Sequence, residues 1–276
     1  MKSIKELYKI GNGPSSSHTM GPKKAALLLK EKYPTADLYK IILYGSLAFT
    51  GKGHLTDKII LEALKPSNVE IIFNKEIKEL KHPNTMDLIA LKNEEELGKF
   101  RAYSIGGSIQ IEGEDFQEEQ DIYDFTTYTD IKNNCKEKNI SLLEYIYSQE
   151  DKYLIEYLKI VWQTMKKTLE EGLEQEGLIP GRLKIPKKAK TLYSKELDNE
   201  NAELKRTRLL TAYAYATSEQ NASGGMIVTA PTCGASGVLP AVLYYLYKQE
   251  NVNEARILEC LAIAGLIGNL VKTNAS

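Results

Sequence analysis

The sequence predicts an α+β protein, with an α/β domain over residues 1–125 followed by an all-helical domain over residues 131–276. Two observations predict this division. Short apolar runs of strand length occur up to about residue 121, whereas apolar residues recur at helical spacing after about residue 131. A net-negative, weakly apolar stretch over residues 112–124 separates the two patterns and is the predicted linker.

The first domain is predicted to mix short strands with a few helices. Predicted strands cover residues 38–47, 69–73 and 86–91, and a β-rich stretch follows over residues 100–112. Within that stretch, Gly106 and Gly107 predict a bend or bulge. Residues 22–33 predict a helix, because Pro22 stands in its first turn and four apolar residues supply one face.

The second domain is predicted to be helical. Ser141 and Glu144 form a capping-box pattern, in which each side chain satisfies a backbone donor at the start of a helix. Apolar residues then recur at helical spacing from Leu154 to Leu169, with Gly172 or Gly177 as the stop. Further helices are predicted over residues 202–218, 240–250 and 253–271, and residues 226–229 are the one candidate strand.

Composition excludes several classes of protein. The chain has 276 residues and a formal net charge of -1, so it carries no electrostatic footprint for nucleic acid or for an anionic membrane. Three cysteines and the absence of an apolar leader favour a reducing, cytoplasmic compartment. Residues 224–247 hold no charge, but Pro231 and Pro240 interrupt them, which predicts a loop and a buried helix rather than a membrane span.

Several common motifs fail. The stretch from Gly45 to Lys52 is one residue too long for a phosphate loop, and Gly53 stands where a magnesium-binding hydroxyl is needed. The cysteines are far apart in sequence, so they form no redox or zinc signature. No dinucleotide-binding glycine pattern and no zinc-protease motif is present.

Two N-terminal motifs contain chemistry-bearing side chains. In residues 13–22, hydroxyl side chains and His18 precede a helix N-terminus, where free backbone N–H groups favour an anion such as a carboxylate. The alternative is an ordinary capping serine in a solvated loop. In residues 50–57, Gly51 and Gly53 let the backbone approach a ligand closely, and the next residue, His54, is a candidate proton carrier. The alternative there is a strand-to-helix turn capped by Thr56, and sequence alone does not separate the two.

A third motif covers residues 218–240 and contains the densest group of small and hydroxyl residues. Its bare backbone N–H groups are suited to a nest for a carboxylate or phosphate. The alternative is close helix packing through small residues. Buried polar side chains in a charge-free stretch need partners, which favours a functional site.

Together these segments resemble the iron–sulfur-dependent L-serine dehydratases, or L-serine ammonia-lyases, of bacteria. The resemblance covers nearly the whole chain and also includes His82-Pro83-Asn84 and residues 103–107. It implies a β region with an α/β fold of the substrate-binding type, fused to an all-helical catalytic α region. It also implies deamination of L-serine to pyruvate and ammonia with a [4Fe-4S] cluster, in amino-acid catabolism and gluconeogenesis. A homodimer is the implied assembly, with neither nucleic acid nor membrane as a partner.

The resemblance also implies site residues. His18 and His54 are the implied catalytic residues, although the identity of the base does not follow from the sequence. An open iron of the cluster is implied to bind the substrate hydroxyl as a Lewis acid. The implied substrate-binding residues are Ser16, Ser17, Thr19, Asn221, Gly224, Gly225, Thr232, Cys233, Gly234 and Ser236.

The cysteines depart from the family pattern. The family's cluster ligands follow the residues that match the end of this sequence, and none of Cys135, Cys233 and Cys260 matches one. The expectation is therefore a dehydratase truncated at its C-terminus, with no metal ligand among these residues and doubtful activity alone. Alternative functions are a non-catalytic amino-acid-binding or subunit-interaction protein and an L-cysteine-desulfurating relative. A pyridoxal-phosphate lyase is disfavoured, because no lysine stands out as its Schiff-base residue.

Overall fold

The computed structural model of the chain describes residues 1–76, 79–115, 120–195 and 200–275, which form two compact units. The sheet unit comprises Gly11–Gln117, and the helical unit comprises Met1–Ile10 together with Glu118–Ser276. The predicted α+β class is confirmed, because strands dominate the first unit and helices the second. The predicted domain limits, 1–125 and 131–276, stay a prediction, and part of the predicted linker lies outside the described residues.

The sheet unit contains a short first strand, three helices and a five-stranded sheet. The helices are α1 (Gly21–Lys32), α2 (Gly45–Thr50) and α3 (Thr56–Leu64). The strands are β1 (Ile10–Asn12), which begins at the end of the helical unit, β2 (Leu38–Leu43), β3 (Asn68–Phe73), β4 (Thr85–Lys92), β5 (Glu95–Ile105) and β6 (Ser108–Ile111). The sheet order is β3-β2-β4-β5-β6; β2 and β3 run parallel, and the other neighbours run antiparallel.

One face of this sheet is covered by helices. Alternate residues of β2 are buried, as expected where side chains of a strand point to opposite faces, and they include Ile41 and Leu43. Leu29 of α1 and Ile60 of α3 join the same apolar cluster. The predicted bend in the β-rich stretch is confirmed, because β5 and β6 form a hairpin around Gly106 and Gly107.

The helical unit contains seven helices and one short strand among its described residues. They are α4 (Tyr128–Glu137), α5 (Leu142–Gln149), α6 (Leu154–Glu174), α7 (Ala189–Ser194), α8 (Ala202–Ala222), β7 (Met226–Val228), α9 (Val238–Gln249) and α10 (Glu254–Asn274). The capping box at the start of α5 is confirmed, with both of its hydrogen bonds formed. Trp162, Leu158 and Leu261 lie in the apolar core of the helical unit.

The first residues of the chain are anchored in the helical unit through Glu150. The buried carboxylate of Glu150 accepts hydrogen bonds from the Ser3 hydroxyl at 2.6 Å, the Ile4 N–H at 2.8 Å and the Tyr123 hydroxyl at 2.8 Å. The terminal ammonium of Met1 donates to the Tyr123 carbonyl at 2.6 Å. A buried carboxylate with three donors is well compensated for its loss of water, which explains why this segment packs with distant helices.

One local prediction is wrong, and another is resolved between its two alternatives. The predicted strand over residues 38–47 ends at Leu43, and α2 begins at Gly45, whose positive φ of 52° turns the chain. Of the two candidate stops of α6, Gly177 fits, because the helix continues past Gly172 to Glu174 and Gly177 follows with a φ of 94°. Gly172 instead lies against α8, where a β-carbon would stand 2.3 Å from the Ala216 carbonyl oxygen. Among the described residues, we find no helix with the length and apolarity needed to cross a membrane.

Candidate functional site

The first predicted motif forms a turn of π-helix over Ser16–Met20 that runs directly into α1. Ser15 caps this turn, since its Oγ accepts a hydrogen bond from the His18 N–H at 3.3 Å. The hydroxyl of Thr19 is completely buried and donates to the carbonyls of Asn12 and Ser15. Thr19 thus stabilises the turn, and its predicted contact with substrate stays a prediction. We refer to residues 13–20 as the serine loop.

Two hydroxyls from other elements hold the serine loop in place. Ser104, at the end of β5, donates its Oγ hydrogen to the Ser17 carbonyl at 2.7 Å. Thr56, the first residue of α3, donates to the His18 carbonyl at 2.6 Å. The alternative reading of Thr56 as a helix cap is wrong, because the residue before it is the N-cap and the Thr56 hydroxyl is engaged with the loop. Both hydroxyls fix the backbone that carries the His18 side chain.

Four hydroxyls surround the imidazole of His18. Its Nδ1 lies 3.0 Å from Ser17 Oγ and 3.3 Å from Ser15 Oγ. Its Nε2 lies 3.0 Å from Ser46 Oγ and 3.0 Å from Thr50 Oγ1. Ser46 and Thr50 are not among the predicted site residues: Ser46 falls in the predicted strand over residues 38–47, and Thr50 begins the second motif without a predicted role. The signal that identifies them is their spacing of four residues on one short helix, which places both side chains on the same face.

His54 stacks beside His18. The two ring centroids are 4.5 Å apart with an angle of 32° between the ring planes. His54 Nδ1 lies 3.0 Å from the Thr50 carbonyl oxygen, so the ring is held by the end of α2. Leu55 follows with a positive φ of 60°, which is unusual for a branched side chain and marks a constrained turn at this histidine. The structure therefore brings the two predicted catalytic histidines together.

The surroundings of His18 favour its neutral form. Burial lowers the pKa of His18 below its ordinary value of 6.5, and the neighbouring His54 lowers this pKa further; a hydrogen bond to the Ser46 backbone acts in the opposite direction. Burial acts this way because it disfavours the charged form of a base. A neutral imidazole keeps a lone pair on one ring nitrogen, so each of its two nitrogens has a different hydrogen-bonding role.

We expect the stability of the protein to fall as the pH is lowered from about 7 to about 5, in part through His18. The pKa of His18 is lower in the folded than in the unfolded chain, so the unfolded chain binds more protons in this range. The contribution of His18 is therefore complete above its ordinary value of 6.5 and is lost as the pH falls toward its lowered value. Urea unfolding at several pH values measures this slope.

His18→Gln should flatten the dependence of unfolding free energy on pH relative to the parent chain. Equal slopes for the parent and His18→Gln would contradict the assignment of this titration to His18.

The third predicted motif lies in the helical unit and contains unsatisfied polar atoms. Asn221 Oδ1, Ser223 Oγ and Ser236 Oγ are buried, and none has a hydrogen-bond partner within the described part of the chain. A buried polar atom without a partner costs about 1–3 kcal/mol, so such atoms are normally satisfied by something. Asn221 lies in the last turn of α8, Ser223 follows that helix, and Ser236 precedes α9.

The structure gives a different reason for glycine at each of two positions in this motif and none at the third. Gly224 has a φ of 84°, which side-chain-bearing residues rarely adopt. A β-carbon on Gly225 would stand 2.9 Å from Gln220 Oε1, whereas Gly234 is exposed and has open space around it. Thr232 Oγ1 accepts the Ala235 N–H at 3.1 Å, and Cys233 is buried. The predicted substrate contacts of these residues stay predictions.

The described residues do not fit an iron–sulfur cluster. Such a cluster needs several thiolates close together. Cys135 and Cys260 belong to the helical core or pack against it, and Cys233 is buried in the third motif. Burial raises the pKa of the Cys135 thiol, which disfavours the thiolate. In the described ranges, no group of three or more His, Cys, Asp or Glu side chains is placed to hold a metal ion.

The chain thus combines a sheet unit, which contains two imidazoles in contact, with a helical unit that contains buried unsatisfied polar atoms. Comparison with known families identifies the protein family. A family model described as "Serine dehydratase alpha chain" matches residues 72–276, and one described as "Serine dehydratase beta chain" matches residues 3–70. The chain therefore belongs to the serine dehydratase family of carbon–nitrogen lyases, with its β and α regions in one polypeptide.

Curated relatives agree with this family. An L-serine dehydratase of Haemophilus influenzae is 33% identical, and the alignment covers 100% of this chain and 73% of the relative. The L-serine dehydratase TdcG of Escherichia coli is also 33% identical, with the same coverage of both chains. An L-serine dehydratase of Streptomyces coelicolor is 31% identical over 99% of this chain and 72% of its own length.

Proposed function

We propose that this chain binds L-serine and takes part in its deamination to pyruvate and ammonia by β-elimination of water. The observation that carries the proposal is the stacked His18–His54 pair at the serine loop, in a chain of the serine dehydratase family. L-serine has a weakly acidic α-hydrogen, so its elimination requires a positioned base. Two imidazoles held by hydroxyls and by a helix end meet that requirement.

In the proposed reaction, His54 is the proton acceptor. A carbonyl oxygen can only accept, so the contact between His54 Nδ1 and the Thr50 carbonyl places a hydrogen on Nδ1. Nε2 of the neutral ring then carries the lone pair and takes the proton from the α-carbon. The electron pair of that C–H bond forms the α,β double bond as the C–O bond at the β-carbon breaks, and the departing hydroxide takes up a proton from solvent and leaves as water. The aminoacrylate then tautomerises and is hydrolysed to pyruvate and ammonia.

The remaining predicted residues are proposed to bind the substrate. Ser16 and Ser17 present hydroxyls on the serine loop, and His18 fixes the orientation of His54 by stacking. In the helical unit, Asn221 and Ser236 offer buried polar atoms that have no hydrogen-bond partner among the described residues. These atoms are proposed to bind the carboxylate and amino groups of L-serine, together with the backbone of Gly224, Gly225, Thr232, Cys233 and Gly234.

The cofactor, assembly and location are also proposals. We propose that the reaction depends on a [4Fe-4S] cluster whose ligands are not among the described cysteines, since these are not grouped. A homodimer, a cytoplasmic location and a role in gluconeogenesis accompany the proposal. An L-cysteine-desulfurating activity is the second candidate, because loss of a β-thiol follows the same proton removal at the α-carbon.

A set of three measurements on the 276-residue chain tests the proposal. After anaerobic reconstitution with iron and sulfide, we expect no visible iron–sulfur absorption and no pyruvate from L-serine. Titration calorimetry is expected to show that the chain still binds L-serine. The variant Asn221→Leu should weaken that binding by about tenfold. Leucine is similar in size to asparagine but lacks the buried acceptor Oδ1.

Each outcome bears on a different part of the proposal. Cluster absorption together with pyruvate formation would contradict the proposal that the cluster ligands are not among the described cysteines. An absence of L-serine binding, with the chain folded by circular dichroism, would contradict the substrate assignment. Release of sulfide from L-cysteine, without pyruvate from L-serine, would favour the second candidate.

A further inference from the structure

We propose that Thr50, a residue with no predicted role, is a positioning residue that fixes the tautomers of both histidines. Its side chain contacts the ring of His18, and its main chain contacts the ring of His54. The catalytic meaning of this arrangement rests on the proposed function. The tautomers themselves are properties of the folded chain and are measurable without turnover.

The hydroxyl of Thr50 has one hydrogen, and its partner is identified by geometry. Thr50 Oγ1 lies 2.8 Å from the carbonyl oxygen of Ser46, four residues earlier in α2. Since a carbonyl cannot donate, the Thr50 hydrogen is used in this bond. The contact of 3.0 Å between Thr50 Oγ1 and His18 Nε2 then requires that Nε2 donates. His18 is therefore protonated on Nε2.

The other nitrogen of His18 is consistent with this assignment. His18 Nδ1 lies 3.0 Å from Ser17 Oγ, and a serine hydroxyl can donate to an unprotonated ring nitrogen. Ser46 Oγ, also 3.0 Å from Nε2, is able to share the Nε2 hydrogen as an acceptor. These roles are compatible with a hydrogen on His18 Nε2.

The carbonyl of Thr50 determines the tautomer of His54. Thr50 is the last residue of α2, so its carbonyl lacks a partner within the helix. It accepts the backbone N–H of His54 at 3.2 Å and the ring Nδ1 of His54 at 3.0 Å. His54 is therefore protonated on Nδ1, which is the opposite tautomer to that of His18. In the proposed reaction, this arrangement directs the lone pair of His54 to Nε2.

Nitrogen-15 NMR of the imidazoles tests this proposal directly in the full chain. The sequence contains three histidines, so the ring signals of His18, His54 and His82 can be assigned by substitution. We expect a protonated Nε2 in His18 and a protonated Nδ1 in His54 for the parent chain at neutral pH. The same tautomer in both rings of the parent would overturn the proposal, whatever any variant does.

Thr50→Val and Thr50→Ser form a matched pair of variants. Thr50 is exposed, so valine replaces it without a loss of packing. Thr50→Val removes one of the two acceptors at His18 Nε2 and leaves Ser46 Oγ, which can either accept from this nitrogen or donate to it, so the two ring signals of His18 should move toward the average of the two tautomers. The His54 signals should stay in place, because the Thr50 carbonyl remains. Thr50→Ser keeps the hydroxyl and should reproduce the parent spectrum.

The results separate this proposal from the proposed function. Unchanged His18 signals in Thr50→Val would overturn the role of the hydroxyl. Parent chains with the expected tautomers but without L-serine binding would support the positioning role of Thr50 and contradict the proposed function. Loss of the expected His18 signals in Thr50→Ser would contradict the positioning role, since that variant retains the donor and acceptor.

Discussion

Gly172→Ala is expected to destabilise the helical unit by about 3 kcal/mol or more. The β-carbon of alanine at this position would stand 2.3 Å from the carbonyl oxygen and 2.9 Å from the Cα of Ala216. Both obstructing atoms belong to the backbone of α8, so relief requires that α6 and α8 move apart. The gain in helix propensity on replacing glycine, about 1 kcal/mol, is too small to offset this cost. Urea unfolding measures the change.

Gly268→Ala is the matched control, because it makes the same substitution inside another helix of the same unit. Its β-carbon would meet Leu7 Cδ2 at 2.7 Å, and a methyl group at the end of a side chain can rotate away. We therefore expect a loss of less than about 1 kcal/mol for Gly268→Ala. Similar losses for the two variants would show that backbone contact between α6 and α8 is not what selects glycine at position 172.

Gly21→Ala is expected to destabilise the sheet unit by about 2–3 kcal/mol and to displace the serine loop. Gly21 is the first residue of α1, directly after that loop. An alanine β-carbon there would stand 1.9 Å from Ser104 Oγ and 2.8 Å from Ser104 Cβ. Rotation of the Ser104 side chain relieves the first contact only, and it breaks the bond from Ser104 to the Ser17 carbonyl. Unfolding experiments and the ring signals of His18 measure the two effects.

A double-mutant cycle isolates this contact from other effects of the substitution. Ser104→Gly removes both obstructing atoms, so the variant with both changes should lose less stability than the sum of the single losses. We expect a favourable coupling of about 1–2 kcal/mol. Additive losses would mean that Ser104 is not the obstruction, and that the nearby Ser108 carbonyl at 3.3 Å governs the position.

The main elements of the fold follow from local sequence patterns. The buried alternation of β2, the capping box of α5 and the apolar spacing of α6 all rest on neighbours within a few residues, and each predicted element is present. The end of β2 was predicted wrongly, because apolar residues continue from Leu43 into α2. A positive φ at Gly45 separates these elements. A β-carbon added at Gly45 would stand 2.4 Å from the carbonyl oxygen of Pro83, a residue distant in sequence.

The candidate site was predictable in part. His18 and His54 were identified from motifs rich in glycine and hydroxyl side chains, and the structure places their rings in contact. Ser46 and Thr50 were missed, because their role depends on a ring 28 and 32 residues away in sequence. Such partners have no local pattern. In the third motif, the sequence indicated buried polar residues, and the structure identified Asn221, Ser223 and Ser236 as those with unsatisfied atoms.

The sequence by itself determined the α+β class, the family resemblance and the two histidines, since each depends on residue types at short spacings. It also predicts that the cysteines depart from the family pattern. Only the tertiary structure decided which hydroxyls surround His18, which main-chain group contacts the ring of His54 and why glycine is needed at position 172. The physical reason is that hydrogen-bond direction and steric contact depend on distances of a few tenths of an ångström between segments far apart in the chain.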